Sequence, residues 1–536
     1  MEIMFNYLHT QERKVQIMKR NVLNSIILLA SACMTLGGCS KGPKYVTMAY
    51  DYHVMKANYS ESHPLSSCPN NGEAKILVVP VWFTDSDQFI TSETAKANVR
   101  EDIRIGYLGT EEETGWHSVK TYYETESGGK LHLDGTVTDW YPCGRASTEA
   151  TSSQITATMV KNAADWYFKN NPDDNRLDYD KDGDGWLDAV VLIYGAADKQ
   201  VGNGANDNLW AYCYWCQSAK LQDKSKPGPN VFFWASYDFI YDTATAQQRA
   251  GTSYGNGDCS HTTIDSHTLV HEFGHVLGLD DYYDYSYQGF NPAGGFSMQD
   301  NNVGGHDPYS VTAYGWSNVI IPKKSDKVTL HPFQTSKEVL LLTPEWNNLD
   351  SPFDEYIMVE LYTPTGLNKL DTDYKYDNLY PRGVNETGLR IWHVDARLCC
   401  YIEESRTYST YLHCDPTLPG VDHGISNTFP KPGESVSHLS PLGEKYYEYN
   451  ELQLLTNSTS ESYTYRRRNM FNSMDLWKDG DSFVMSDYAS QFPGNGKLNK
   501  FTEDGIAHVD LGWSFTVAIE GSGDDAVATI NLKKSK

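Results

Sequence analysis

One pentapeptide limits what this chain can fold into more than any other feature. His271-Glu272-Phe273-Gly274-His275 lies in Thr263–Leu277, a stretch whose apolar spacing predicts a helix. At 3.6 residues per turn, positions i and i+4 share a face, so both imidazoles can converge on one ion. A Zn²⁺ ion suits such a pair, and Glu272 is placed to reach a water bound there. Gly278 can end the helix in a left-handed conformation and swing the chain back. Asp281, six residues beyond His275, then falls where a third ligand is needed. Any fold for this chain must seat that helix with its histidine face open and bring the following loop back over it.

A second loop is rich in oxygen donors. Asp180, Asp182, Asp184 and Asp188 occupy positions 1, 3, 5 and 9 of a loop with Gly185 at position 6 and the Trp186 carbonyl at position 7. Position 12 is Val191 where a sensor hand has Glu, and Asp188–Tyr194 reads as a strand. The expectation is a structural Ca²⁺ loop feeding a core strand.

Around these loops, Lys75–Phe83 is a β-rich run whose Pro80 suggests a strand end, edge or bulge. Ser118–Thr125 looks helical and stops at Gly128-Gly129, Lys130–Thr138 alternates as a strand, and Thr156–Asn170 is an amphipathic helix. Beyond Trp316 short β-prone runs take over: Lys327–Leu330, Glu338–Leu342, Tyr356–Tyr362, Leu389–Val394, Ser514–Glu520 and Ala526–Leu532, the last two joined by a Gly521–Asp525 hairpin loop. The fold class expected is α+β, with a catalytic domain over 74–322 and an all-β, sandwich-like domain over 323–536.

The N-terminus assigns a compartment. Lys19-Arg20, an apolar run Val22–Leu29 and Leu36-Gly37-Gly38-Cys39 form a charged region, a hydrophobic region and a lipobox. Residues 1–38 read as a lipoprotein signal segment, of which 1–17 precede the better initiator Met18; Cys39 reads as the lipidated residue and 39–73 as a tether. The expectation is an exported envelope protein held to a membrane by its N-terminal lipid. With 70 acidic against 44 basic side chains and a net charge of −26, the field has the wrong sign for nucleic acid. Cys213-Tyr-Trp-Cys216 has redox or zinc-knuckle spacing, but with no second pair at ligand distance a loop disulfide is the expected use.

The stretch His271–Asp284 resembles the immune-inhibitor-A-type metallopeptidases, a family of the metzincin-like clan in which Asp stands where most metzincins carry a third His. Asp280 and Asp284 are neighbours that could compete with Asp281, though the spacing favours Asp281. Gly294–Met298 is similar to the tight turn that sets a methionine, here Met298, beneath the metal. Lys75–Phe83, Ser118–Leu131, Asp207–Tyr212, Pro308–Trp316, Glu355–Glu360, Gly388–Asp395 and Leu476–Phe483 also look like that family's recurrent segments, in order, so the resemblance spans roughly 75–485. It implies a zincin fold with a twisted sheet and an active-site helix. It also implies a zinc endopeptidase acting on proteins or peptides, with His271, His275 and Asp281 on the metal and Glu272 as general base. Tyr283, His306 and Tyr309 are possible assistants among which spacing does not choose. The competing expectation, from another class, is a surface-anchored glycan- or protein-binding lipoprotein whose metal site is vestigial.

Overall fold

The computed structural model describes residues 68–150, 153–198, 209–216, 219–241, 264–279, 281–283, 293–343, 355–373, 380, 382–395, 399–402, 407–409, 421–422, 452–457, 471, 473–491 and 512–535. Cys39 and the whole signal segment, Asp280, Asp284 and the Asp207–Asn208 end of one recurrent segment lie outside these residues. Among the described residues no helix is long and apolar enough to cross a membrane.

The first sheet is built from β1 (Gly72–Trp82), β2 (Leu131–Val137), β3 (Ala189–Tyr194), β4 (Tyr212–Trp215) and β5 (Val231–Ser236), in the order β2-β1-β3-β5-β4, with the two-residue strand Tyr141–Pro142 added on β1. β2, β1, β3 and β5 run parallel and β4 closes the edge antiparallel to β5. Parallel strands covered on both faces need continuous rather than alternating apolar sequence. β3 (AVVLIY) and β5 (VFFWAS) are accordingly buried at every position. Pro80 lies inside central β1, in register with Ile193, and not on an edge strand. The ladder tolerates it because pairing with β2 ends at Val78, two residues earlier, so the missing N–H falls where that partner has run out.

Helices α1 (Glu93–Leu108), α2 (Val119–Glu126), α3 (Ser153–Asn170) and α4 (His267–Leu277) pack around this sheet. α2 starts at Ser118, whose hydroxyl accepts the Thr121 N–H while Thr121 returns the favour to the Ser118 N–H, a capping box. Gly128 and Gly129, at φ 64° and 75°, then stop it as expected. α1 approaches α4 closely at Gly106, where an added Cβ would lie 3.0 Å from Leu269 Cδ1, and the Tyr123 hydroxyl of α2 donates to the Val270 carbonyl at 2.7 Å. The motif helix is thereby locked by its apolar face.

Downstream, β6 (Asn318–Ile320), β7 (Asp326–Leu330), β8 (Glu338–Leu342), β9 (Glu355–Tyr362), β10 (Gly388–Asp395), β11 (Leu452–Leu454), β12 (Ser482–Val484), β13 (Trp513–Glu520) and β14 (Val527–Lys534) form two further sheets, β11-β10-β9-β8-β6 and β12-β13-β14-β7. The hairpin β13–β14 pairs Glu520 with Val527 across the expected Gly521–Asp525 loop. Alternate residues of the five-stranded sheet go to different cores. Leu340, Ile357 and Ile391 pack with Phe515 and Ile530 of the four-stranded sheet. Leu341, Met358 and Trp392 pack into the core that contains β1 and α4. The apolar interior therefore runs across position 322, and Tyr45–Lys536 forms one compact unit.

The Cys213–Cys216 disulfide is not formed. Both are free thiols. Cys213 lies in β4 and not in a loop, and Cys216, one residue past the end of the strand, still gives its N–H to the Asn230 carbonyl at 3.0 Å, so extended backbone holds the two side chains apart. The Cys216 Sγ turns instead to the Ala157 carbonyl at 3.8 Å.

Candidate metal centre

The helix carrying the motif is shorter than its apolar pattern. It begins at His267, because Asp265 Oδ1 accepts the His267 N–H at 3.0 Å and its ring Nδ1 at 2.9 Å, a local side-chain turn that ends the extended approach. At the other end Gly278, at φ 105°, donates to His275 O, and Leu279 N–H reaches back to Gly274 O at 2.9 Å. This left-handed stop reverses the chain and delivers Asp281 to the histidine face, as the spacing predicts.

Three ligand-type atoms meet there. His271 Nε2 lies 3.0 Å and His275 Nε2 3.1 Å from Asp281 Oδ1, and the two Nε2 atoms are 3.1 Å apart. A point about 2.0 Å from all three would see them at angles of about 100°, close to tetrahedral. The donor set, two imidazoles and one carboxylate, fits Zn²⁺. Both ring orientations are fixed from behind: His271 Nδ1 is 2.7 Å from the Met298 carbonyl and His275 Nδ1 is 2.7 Å from the Leu279 carbonyl. Only a protonated Nδ1 can donate to a carbonyl, so each Nε2 keeps its lone pair for the ion.

Glu272 is 7% exposed. Burial raises its carboxyl above the ordinary carboxylate range, with Asp281 adding to the effect and His275 and His271 opposing it. Met298 is fully buried, and its carbonyl is the atom that touches His271. Of the three possible assistants, Tyr283 has its ring 6.3 Å from that of His271. His306 is buried and engaged with Tyr122 Oη at 3.1 Å and Gln299 Oε1 at 3.2 Å, and Tyr309 is buried against Tyr282. β4 runs beside the site: Glu272 and Asp281 both add to the burial that lifts the Cys213 thiol well above its usual range. Tyr212 on the same edge strand is 52% exposed.

In the acidic loop, Asp180, Asp182 and Asp188 converge and could hold a cation. Asp184 stands outside that group, its Oδ1 accepting the Trp186 N–H at 2.8 Å. Asp188 is fully buried and bridges the loop to the sheet, accepting the Lys181 N–H at 2.9 Å and the Lys75 N–H at 2.8 Å. Burial pushes its carboxyl up to about 8 in spite of those two donors, and Asp182 and Asp180 push the same way.

Sequence reasoning passed over Gln299, whose side chain touches His275 and His306. The available signal was Gly274, an otherwise poor helix residue at the one motif position that Gln299 overlies.

Comparison with known proteins agrees with this geometry. Residues 102–302 match the family model described as the immune inhibitor A peptidase M6 catalytic domain. The chain is similar to the pre-pro-metalloprotease PrtV of Vibrio cholerae, 24% identical over 209 residues, which are 34% of this chain and 21% of that protein. It is similar to immune inhibitor A of Bacillus thuringiensis subsp. alesti, 26% identical over 193 residues, covering 32% and 26% of the two chains. The match thus spans about a fifth to a quarter of the length of these curated relatives. The family resemblance is borne out, over a narrower stretch than 75–485, and that stretch holds the whole HExxHxxGxxD pattern and Met298.

Proposed function

Since residues 102–302 are similar to a metallopeptidase catalytic domain, we propose that the chain is a zinc-dependent endopeptidase of extracellular proteins. The observation that carries this is the triangle of His271 Nε2, His275 Nε2 and Asp281 Oδ1, with sides of 3.0 to 3.1 Å. These three residues hold the ion. Zinc there supplies Lewis-acid polarisation of the scissile carbonyl and of a water. Glu272, one residue along the same helix, takes the proton of the attacking water and returns it to the leaving nitrogen.

Among the described residues β4 is the edge strand of its sheet and runs beside the metal triangle, where an extended substrate peptide would lie. Met298 forms the turn beneath the metal. Asp180, Asp182 and Asp188 hold a structural Ca²⁺ that ties the loop to β1, Asp184 shaping the loop and the Trp186 carbonyl completing the donors. The two sheets after residue 322 form a sandwich-like layer whose inner face continues the catalytic core, and lipidation at Cys39 keeps the mature protein on the cell envelope.

The test is zymography on casein with purified protein. Glu272→Ala is expected to keep stoichiometric zinc and lose cleavage by at least about 100-fold, and chelation is expected to abolish wild-type cleavage reversibly. Cleavage retained by Glu272→Ala would remove that residue from the role of base. A wild-type protein inactive at every zinc concentration would overturn the peptidase reading.

A further inference from the structure

We infer that Trp210 and Tyr212 form an aromatic shelf that selects the substrate by holding a large apolar or aromatic side chain of a peptide lying along β4; the inference deepens the peptidase reading above and rests on it.

Five large apolar side chains are exposed among the described residues, and two of them, Trp210 and Tyr212, stand two positions apart at the entry to β4. Trp210 is 45% exposed and Tyr212 52%, while Ala211 between them is buried. Single exposed apolar residues are ordinary, but two neighbouring aromatics beside a candidate metal centre mark a contact surface. Both rings are held in place. Trp210 stands edge-on to Phe239 at 5.0 Å and 88°. Tyr212 lies 5.1 Å from Trp234, its partner across the β4–β5 pair, and 6.3 Å from Tyr214. Rings fixed in this way lose little rotamer freedom when a ligand side chain packs on them.

The position of the shelf relative to the chemistry follows from the alternation of β4. Cys213 takes the face toward α4: burial raises its thiol, Glu272 and Asp281 add to the effect, and its cross-strand partner Phe233 lies 6.1 Å from Tyr107 of α1. Tyr212 takes the other face, where burial raises its hydroxyl and Tyr214, Cys213, Glu272 and Asp281 push the same way. The ring therefore stands within electrostatic reach of both the base and the third ligand. β4 is the edge strand of its sheet among the described residues. A peptide laid along it sends alternate side chains to the two faces, one set toward α4 and the other beside Tyr212. A residue directly opposite Tyr212 would have its Cβ about 4.5–5.5 Å away, the spacing at which cross-strand aromatic pairs interact. A cation could also stack on such rings. A divalent ion held in the triangle, however, offsets the charges of Glu272 and Asp281, so the local field does not favour a basic residue over an apolar one.

The experiment profiles cleavage of a peptide library by the purified, zinc-loaded full-length protein, then compares kcat/KM for two peptides with Phe or Gly at the selected position. Wild type is expected to prefer Phe by about tenfold, the scale of aromatic packing. Trp210→Ala with Tyr212→Ala should bring the preference to within about threefold, while Tyr212→Phe, which keeps the ring, should retain it. Binding of the same two peptides to the Glu272→Ala protein, read by fluorescence anisotropy, should show the same preference and the same loss without turnover. A wild-type profile with no large apolar or aromatic preference at any position would overturn the inference, as would Arg or Lys as the preferred residue. So would a preference that the two alanines leave within about twofold of wild type. A protein that cleaves no peptide, yet binds the Phe peptide better and loses that preference in the double variant, would sink the peptidase reading and keep the shelf.

Discussion

His267, at the first turn of the motif helix, gives the structure a stability that depends on pH in a calculable way. Its ring is fully buried, stacked 4.1 Å from Trp116 at 9° and 4.5 Å from Tyr380 at 25°. Nδ1 is 2.9 Å from Asp265 Oδ1 and Nε2 is 3.1 Å from Asp371 Oδ1. Carboxylate oxygens only accept, so both ring nitrogens must carry protons and the ring must be an imidazolium. Burial alone would lower its pKa, but Asp371 and Asp265 outweigh burial and raise it to about 9. An unfolded histidine titrates near 6.5, so the difference corresponds to about 3 kcal/mol. The folded pKa lies above the unfolded one. The contribution is therefore complete below pH about 6.5 and is lost as pH rises through about 9. The facing groups are the two carboxylates, the Tyr380 hydroxyl on Asp265 Oδ2 at 3.0 Å, and the Gly304 N–H on Asp371 Oδ2 at 2.6 Å. Urea unfolding of wild type and His267→Gln should show a gap of about 3 kcal/mol at pH 6 that closes to about 1 kcal/mol or less by pH 9.5. A gap that is constant, or that widens with pH, would refute the imidazolium assignment.

Other expectations follow from single contacts. Arg390 is buried, with Nε 2.8 Å from Glu360 Oε1 and an Nη 3.2 Å from the Phe296 carbonyl, so Arg390→Met strands a buried carboxylate and should cost about 3–5 kcal/mol in denaturant unfolding. Glu360→Gln with Arg390→Met should recover part of that loss. Removing calcium should lower the melting temperature, since saturation at 100 times Kd stabilises by about 2.7 kcal/mol, and Asp182→Ala should abolish the calcium-dependent part. Thiol titration of the unfolded protein without reductant should find Cys213 and Cys216 both alkylated; a linked Cys213–Cys216 peptide by mass spectrometry would contradict the strand assignment.

What could be read from the chain alone was whatever depends on neighbours within a turn or two. The HExxH spacing, the left-handed stop at Gly278 and the arrival of Asp281 are local, and the helix places them where spacing predicts. β8 at Glu338–Leu342 coincides with its apolar run because that run is short and bounded by turn residues. Local pattern failed where distant groups compete. The motif helix starts at His267, four residues late, because Asp265 engages that residue while Asp371, 104 positions away, fixes its ring. Pro80 sits in a central strand because β2 stops in time, and Cys213 and Cys216 stay apart because pairing with β5 extends the backbone from Tyr212 to Trp215. Gln299 carried no signal of its own, since a polar residue after a turn is ordinary until the fold lays it against Gly274. The three residues of the triangle are legible because their spacing is covalent; the Met298 carbonyl behind His271 is not, because only packing between elements brings it into contact.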